Sequence, residues 1–494
     1  MLFLCGIPLL LMEFAIGQYT RLGPVLTLAK ICPLLKGVGL ATVVISFILC
    51  TYYNVLMTWA LYYLFNSFGT PLPWQSCNNT WNLVSNCSTG FPGNATHLWS
   101  SSQQFFDYKL LEMTDGIERM GELRWELFGL LVLAWIIVYL CIFKGVKSTG
   151  KVVYFTATFP YFILFTLLIN NVQLPGANDG ILYFLMPNWG KLLEVQVWVN
   201  AAAQIFNSIG IAFGSMISMA SYNKFNNNII RDTLIVALAN SATSILAGFV
   251  IFSAIGYMAH VHHLPVDNIA TDGPGLVFVV YPEIFSTLPV SQLWASLFFL
   301  MLLCLGLDSQ FAMVEVAVTC LMDCVGPKLL KVLKHKELVV LAVCTIGFLL
   351  GIPHITQCYV SMMLASCNTV VPKQGGIYVF QLMDHYTAVV SLMFLAFFEC
   401  ILISSIVQYT PARYGKTYTY PAWAEVLGWF ISLLSIVWIP LGALHELCTS
   451  KGKLLHVSST VSYIAHTCTT HAHCDIDRHV VSSGARWSVL LHVQ

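Results

Sequence analysis

The sequence predicts an all-α polytopic membrane protein, and three observations predict it. Hydrophobic residues make up 57% of the 494 positions and charged residues only 9%, against about 25% charged in a soluble domain. About ten stretches are long and apolar enough to cross a bilayer, near 2–19, 38–66, 127–143, 152–171, 199–219, 231–260, 293–322, 337–352, 376–407 and 421–447, each crossing needing roughly 20 mostly apolar residues. Basic residues gather in alternate loops, as a fixed orientation in the membrane requires. The net charge is zero, so the composition points to no nucleic-acid partner.

The spans divide the chain into a membrane region, 1–447, and a tail, 448–494. The first span could pass for a signal peptide, but it lacks a basic leader and carries Glu13. Arg21, Lys30 and Lys36 fall in one short loop, Lys144, Lys147 and Lys151 in a later one, then Lys224 with Arg231, then Lys328, Lys331, Lys334 and Lys336. These loops are read as cytoplasmic. The long loop at about 67–125 then faces outside, where three glycosylation sequons fit: Asn78, Asn86 and Asn94. The same loop holds Cys77 and Cys87. In an oxidising compartment a disulfide between them is expected, with two free thiols as the alternative.

Polar residues inside spans are costly and mark functional positions. Gln204 and Ser208 are four apart in the run Ala203–Gly214, which also holds Asn207 and two glycines. This predicts a helix broken at mid-membrane, where unwound backbone lines a cavity; the alternative is a continuous helix with glycines for close packing. Asn240 and Ser244 share a face in the next span, and spacing alone suits interhelical glue equally well. Asp308 and Ser309 lie in a run of Leu, Phe and Met with no basic residue in the span. A lone carboxylate there must be protonated, paired or bound to a cation, and the two side chains offer the oxygen ligands a hard cation wants. Glu315, seven residues on, is placed to close an inner gate with Tyr222 or a nearby basic residue.

At these residues the chain resembles the sodium- and chloride-dependent neurotransmitter symporter family, solute carrier family six. The matching stretches are GIPLLLMEFAIGQYTRLGP (6–24), YYN (52–54), LPWQSCNNTWN (72–82), KGVKSTGKVVYFTATFPY (144–161), AAAQIFNSIGIAFGSMISMASYNKFNNNIIRDT (201–233), LCLGLDSQF (303–311) and GGIYVFQLMDHY (375–386). Within the family, the run from Ala203 to Asn228 looks most like the inebriated-type invertebrate branch. The resemblance implies the leucine-transporter fold, with inverted repeats and two helices broken at the midplane. It also implies a Na⁺- and Cl⁻-coupled symporter of the plasma membrane, taking up a small amino acid or a GABA-like or betaine-like osmolyte.

By the same resemblance, Ser208 and Asn240 would serve one sodium site, and Leu305 (through its carbonyl), Asp308 and Ser309 a second. Gln204, Ser208 and Ser244 would contact chloride. Leu49, Tyr53, Phe206, Asn207, Gly210 and Met313 would line the substrate pocket. Asp384 would be the acidic half of the outer gate, with Tyr222 and Glu315 at the inner gate. Asn207 and Met313 depart from the family's usual Phe and small residue, so the substrate of a particular relative does not carry over.

The family's helix count makes the first span helix two, so helix one is expected to be absent, and helix eleven too. Cys358–Gln374 reads as an extra stretch, and Val407 runs directly into Gln408. These departures leave an alternative: a non-transporting truncated relative acting as a homo- or hetero-oligomeric regulatory partner. His466, Cys468, His471, His473, Cys474, Asp475, Asp477 and His479 cluster in the tail, but their spacing fits no closed zinc module, and a disordered tail is expected. A receptor or channel fits poorly, there being no filter motif. No nucleophile–base pair in the membrane region suggests an enzyme.

Overall fold

The computed structural model describes residues 1–31, 36–83, 87–88, 99–112, 124–143, 146–266, 275–324, 336–355 and 376–391, with isolated positions beyond. Asn86, Asn94, the stretch Cys358–Gln374, the Val407–Gln408 junction, most of the last expected span and the tail lie outside the described residues.

The helices run in chain order α1 (Leu2–Thr20), α2 (Pro24–Ile31), α3 (Lys36–Asn66), α4 (Ser101–Gln104, continued by a wider turn Phe105–Leu110), α5 (Trp125–Ile142), α6 (Val146–Val172) and α7 (Ala177–Leu185). They continue as α8 (Val195–Ile209), α9 (Ser215–Ala220), α10 (Ile229–His262), α11 (Leu276–Thr287), α12 (Ser291–Cys324), α13 (Lys336–Gly351) and α14 (Gly376–Asp384). Among the described residues seven helical segments are long and apolar enough to cross a membrane: Leu2–Thr20, Lys36–Asn66, Trp125–Ile142, Val152–Val172, Ile229–His262, Ser291–Asp323 and Lys336–His354.

The expected span at 199–219 is not one helix. It is α8 and α9, of 15 and 6 residues, each too short to cross alone. Helices α7 and α11 fall where the sequence reading placed only loop. Both are short and partly apolar, and a period count tuned to 20-residue spans passes over them.

Local signals explain several ends. Arg21 closes α1 in a left-handed conformation, φ 54°, and Pro24 opens α2, since proline suits a first helical turn. The Asn228 side chain caps α10 by accepting from the Arg231 N–H at 3.1 Å. Helix α12 packs against both α3 and α6, which makes it the centre of the bundle. Helices α7 and α10 cross through Gly180 and Gly256, where a β-carbon on Gly180 would overlap the Phe252 carbonyl, as close helix approach in a membrane demands. Phe162, Ile169, Leu238 and Ile245 point outward, the surface that lipid covers.

The two ends of the bundle differ as the loops predict. At one end Gln18 donates to the Phe225 and Asn227 carbonyls at 2.9 and 3.0 Å. There Gly23 N–H also donates to Asp323 at 2.6 Å, and Lys336 pairs with Glu315 at 2.7 Å. The loops bearing Arg21, Lys224, Arg231 and Lys336 thus share one face of the membrane. At the other end Tyr63 donates to the Phe278 carbonyl at 2.6 Å, Gln75 to the Ser286 carbonyl at 3.3 Å and Ser102 to Glu283 at 2.5 Å. Tyr63, Trp74, Phe105 and Phe299 pack there ring against ring, centroids 4.7–6.2 Å apart.

Cys77 and Cys87 form a disulfide in the outer loop, ten residues apart. Cys87 begins a short parallel pair, β1 (Cys87–Ser88) with β2 (Trp99–Ser100). Cys77→Ser is expected to cost about 2–4 kcal/mol by loosening the unfolded loop, seen as a lower thermal midpoint and reduced surface delivery; an unchanged midpoint would mean that the outer aromatic packing suffices.

Two carboxyls are buried in this outer cap. Burial pushes the Asp107 carboxyl up to about 7, against one hydrogen bond from Gln103 at 2.8 Å that opposes the rise. Burial raises Glu283 as well, although Ser102 donates to it. A folded-state value above the unfolded 3.8 means that the folded chain holds the proton longer. Asp107 therefore lowers stability progressively as pH rises from about 4 to about 7. Asp107→Asn is expected to be more stable than the parent at pH 7.5 and to flatten the midpoint between pH 5.5 and 7.5. A parent and variant with parallel pH profiles would remove Asp107 as the cause.

Candidate functional site

Polar groups and glycine, which α8 meets at its C-terminus, break the helix. Gly210 ends it at φ +82°, Ala212 follows at φ +67° and Gly214 at φ +70°. Such values suit glycine and strain other residues, so the Ala212 conformation must be held from outside. Glu13 holds it: this fully buried carboxylate on α1 accepts from the Ala212 N–H at 2.7 Å. Ser46 on α3 donates to the Phe213 carbonyl at 2.5 Å, and Ser215 to the Gly210 carbonyl at 3.0 Å. The five-residue break from Gly210 to Gly214 is thus a fixed piece of structure.

On the α8 side of the break, the Ser208 hydroxyl donates to the Asn240 side-chain carbonyl at 3.0 Å. Ser244 bonds the Asn240 main-chain carbonyl at 3.0 Å. Gln204, Asn207 and Ser208 are exposed, whereas Phe206 is buried. Of the residues expected to meet sodium and chloride on these two helices, Ser208, Asn240 and Ser244 therefore lie side by side.

A second polar group sits on α12. Asp308 accepts from the Thr156 hydroxyl of α6 at 2.5 Å. The Ser309 hydroxyl reaches the Leu305 carbonyl at 3.4 Å, a weak bond that leaves both oxygens free to turn to another partner. Tyr53 on α3 packs against α12, its ring 4.0 Å from where a β-carbon on Gly306 would stand. Leu49 on α3 and Met313 on α12 are both buried. One carboxylate, one hydroxyl and one carbonyl form an oxygen set suited to a hard monovalent cation. Among the described residues no hydrogen bond joins this group to the Ser208–Asn240 pair.

The gate candidates have partners too. Tyr52, the neighbour of Tyr53, donates to Asp384 at 3.2 Å. At the basic end Tyr222 donates to Glu315 at 2.7 Å, its hydroxyl lies 3.1 Å from Thr319, and Lys336 holds the same Glu315 oxygen at 2.7 Å.

The sequence reading missed Thr156, Ser46, Asp323 and the part Glu13 plays. Glu13 carried a signal, being an acid inside a span, but nothing along the chain names a partner about 200 residues away. Thr156 is one hydroxyl among several on α6, and hydroxyls there ordinarily back-bond to their own helix.

Comparison with known proteins decides the family. The chain matches the sodium:neurotransmitter symporter family over residues 1–406 and 400–450. The chain belongs to that family. It is 41% identical to the sodium- and chloride-dependent GABA transporter ine of Drosophila melanogaster over 96% of this chain and 54% of the relative. Against the sodium- and chloride-dependent GABA transporter 2 of Rattus norvegicus it is 41% identical, over 92% of this chain and 80% of the relative. The sodium- and chloride-dependent glycine transporter 2 of Xenopus laevis is also 41% identical, over 92% and 65%. The chain thus spans about half the length of the Drosophila relative. The crystal structure of MhsT in complex with L-phenylalanine shares its fold, with a TM-score of 0.56, 22% identity and coverage of 90% of this chain and 89% of that one. The symporter-family chain is therefore a multi-pass membrane protein of leucine-transporter-like fold, and its matched relatives are transporters rather than enzymes.

Proposed function

We propose that this family member is a symporter that couples sodium and chloride gradients to uptake of a small amino acid or a GABA-like or betaine-like osmolyte. The observation that carries the reading is the oxygen cluster on α12, where Asp308, Ser309 and the Leu305 carbonyl lie within a span. A carboxylate at that depth is stabilised by a cation, and the sodium gradient supplies one.

In this reading Ser208 and Asn240 hold a first sodium, and Leu305, Asp308 and Ser309 a second. Chloride lies by Gln204, Ser208 and Ser244, offsetting part of the sodium charge. Tyr53, Leu49, Phe206, Asn207, Gly210 and Met313 surround the substrate. Asp384 closes the outer gate, and Tyr222 with Glu315 the inner one. The names of the relatives, GABA and glycine transporters, support the substrate class. Each positive charge moving inward down 100 mV yields about 2.3 kcal/mol, which drives accumulation when tied to substrate closure. The rival reading, a non-transporting partner, has no observation in its favour among the described residues.

The test is uptake of radiolabelled GABA, betaine, taurine, proline and glycine, with sodium replaced by choline and chloride by gluconate. Uptake of one substrate that falls in both replacements supports the proposal. Surface-resident protein with no sodium-dependent uptake of any of them, and no sodium-dependent stabilisation, overturns it.

A further inference from the structure

We infer that Thr156 on α6 is a positioning residue for the Asp308 cation site, setting the orientation of the carboxylate and through it the affinity for sodium. The inference rests on the proposed cation role of Asp308 and extends it to a helix that carries none of the ligands proposed above.

The Thr156 side chain is 3% exposed, and its hydroxyl lies 2.5 Å from Asp308 Oδ1 and 3.2 Å from the Val152 carbonyl of its own helix. A threonine hydroxyl has one proton to donate. An ionised carboxylate is the stronger acceptor of the two, so the proton goes to Asp308 and the Val152 contact is left as a second, weaker option. The other described threonines of α6 behave differently. Thr158, exposed, donates to the Tyr154 carbonyl at 2.6 Å, and Thr166, half-buried, to the Phe162 carbonyl at 2.7 Å. Thr156 alone among them reaches across to another helix.

Thr156 is also β-branched, so its rotamer is stiff within a helix. Asp308, in contrast, sits on α12 among Leu307, Phe311 and Cys304, with Thr156 as its hydrogen-bond partner among the described residues. Anchoring Oδ1 to a stiff, buried donor turns Oδ2 to one fixed direction, on the helix that also carries Ser309 and Leu305. A ligand held in place beforehand binds tighter than one that must be ordered at each event. The same bond ties the position of α6 to the state of the site.

The experiment titrates sodium chloride against choline chloride at constant chloride on the purified full chain, reading the rise in thermal midpoint that sodium binding produces. Thr156→Val keeps the shape and removes the hydroxyl; it is expected to raise the half-effective sodium concentration about tenfold, the scale of one hydrogen bond to a charged group. Thr156→Ser returns the hydroxyl and is expected to restore it to within about twofold. If Thr156→Val does not yield folded protein, Thr156→Ala serves in its place. An unchanged midpoint concentration in the hydroxyl-free variant overturns the inference. So does equal weakening in the Ser and Val variants, which would assign Thr156 to helix packing alone. Asp308→Asn run alongside separates the two levels: if it keeps the parent's sodium response, the cation role of Asp308 itself has failed.

Discussion

Asp308→Asn is expected to abolish the sodium response while leaving the protein at the cell surface. Asparagine matches aspartate in shape, and its carbonyl can still accept the Thr156 hydroxyl now 2.5 Å from Oδ1. What it loses is the charge. A unit charge pair about 4 Å apart is worth about 4 kcal/mol at an effective dielectric of ~20, roughly three orders of magnitude in affinity. At physiological sodium such a loss empties the site. Folding should suffer little, because an isolated carboxylate inside a span costs energy in the absence of its cation. The check is sodium-dependent uptake or thermal stabilisation, with surface biotinylation as the expression control. A parent-like sodium response in Asp308→Asn would sink the assignment.

Glu13→Ala should be the more damaging change to the fold. Glu13 is fully buried, and its Oε1 accepts from the Ala212 N–H at 2.7 Å, at the centre of the break between α8 and α9. Ala212 is held at φ +67°, a conformation that returns nothing if its amide loses its acceptor. Removing the carboxylate leaves a buried N–H unpaired, at about 1–3 kcal/mol, and opens a cavity that adds to the loss. Glu13→Gln keeps an acceptor oxygen and should sit much closer to the parent. Thermal midpoints and surface levels of the two variants check this. If Glu13→Ala matches the parent, the break is held by Ser46 and the glycines alone. The inner network of Tyr222, Glu315 and Lys336 is more tolerant, since Lys336 is partly exposed and solvent can replace part of what it supplies.

Much of this architecture was legible along the chain. Apolar runs of bilayer length mark α1, α3, α5, α6, α10, α12 and α13, because lipid forces each backbone polar group to be satisfied within its own helix. The loops of Arg21, Lys224, Arg231 and Lys336 announce their common side, and Gln18 bonded to Phe225 shows two of them meeting. Gln204, Ser208 and the glycines mark the break in advance, since few reasons other than a lined cavity put polar groups and glycine at that depth. The Cys77–Cys87 bridge follows from the sidedness of its loop. The short helices α7 and α11 were not legible, being formed by docking against α10 and the outer cap rather than by a span-length pattern.

The sequence by itself determined that this chain enters a membrane, which loops share an end of the bundle, and which side chains are too polar for their depth to be there without a purpose. Those properties are local sums of transfer energy, read residue by residue. Only the tertiary structure decided the partners: Glu13 with Ala212, Ser46 with Phe213, Asp308 with Thr156, Asp323 with Gly23 and Glu315 with Lys336. A hydroxyl or a carboxylate carries no record of its partner, and four of these five pairs lie more than 150 residues apart. Which donor reaches which acceptor is settled by how the helices cross, and that is a property of the packed bundle.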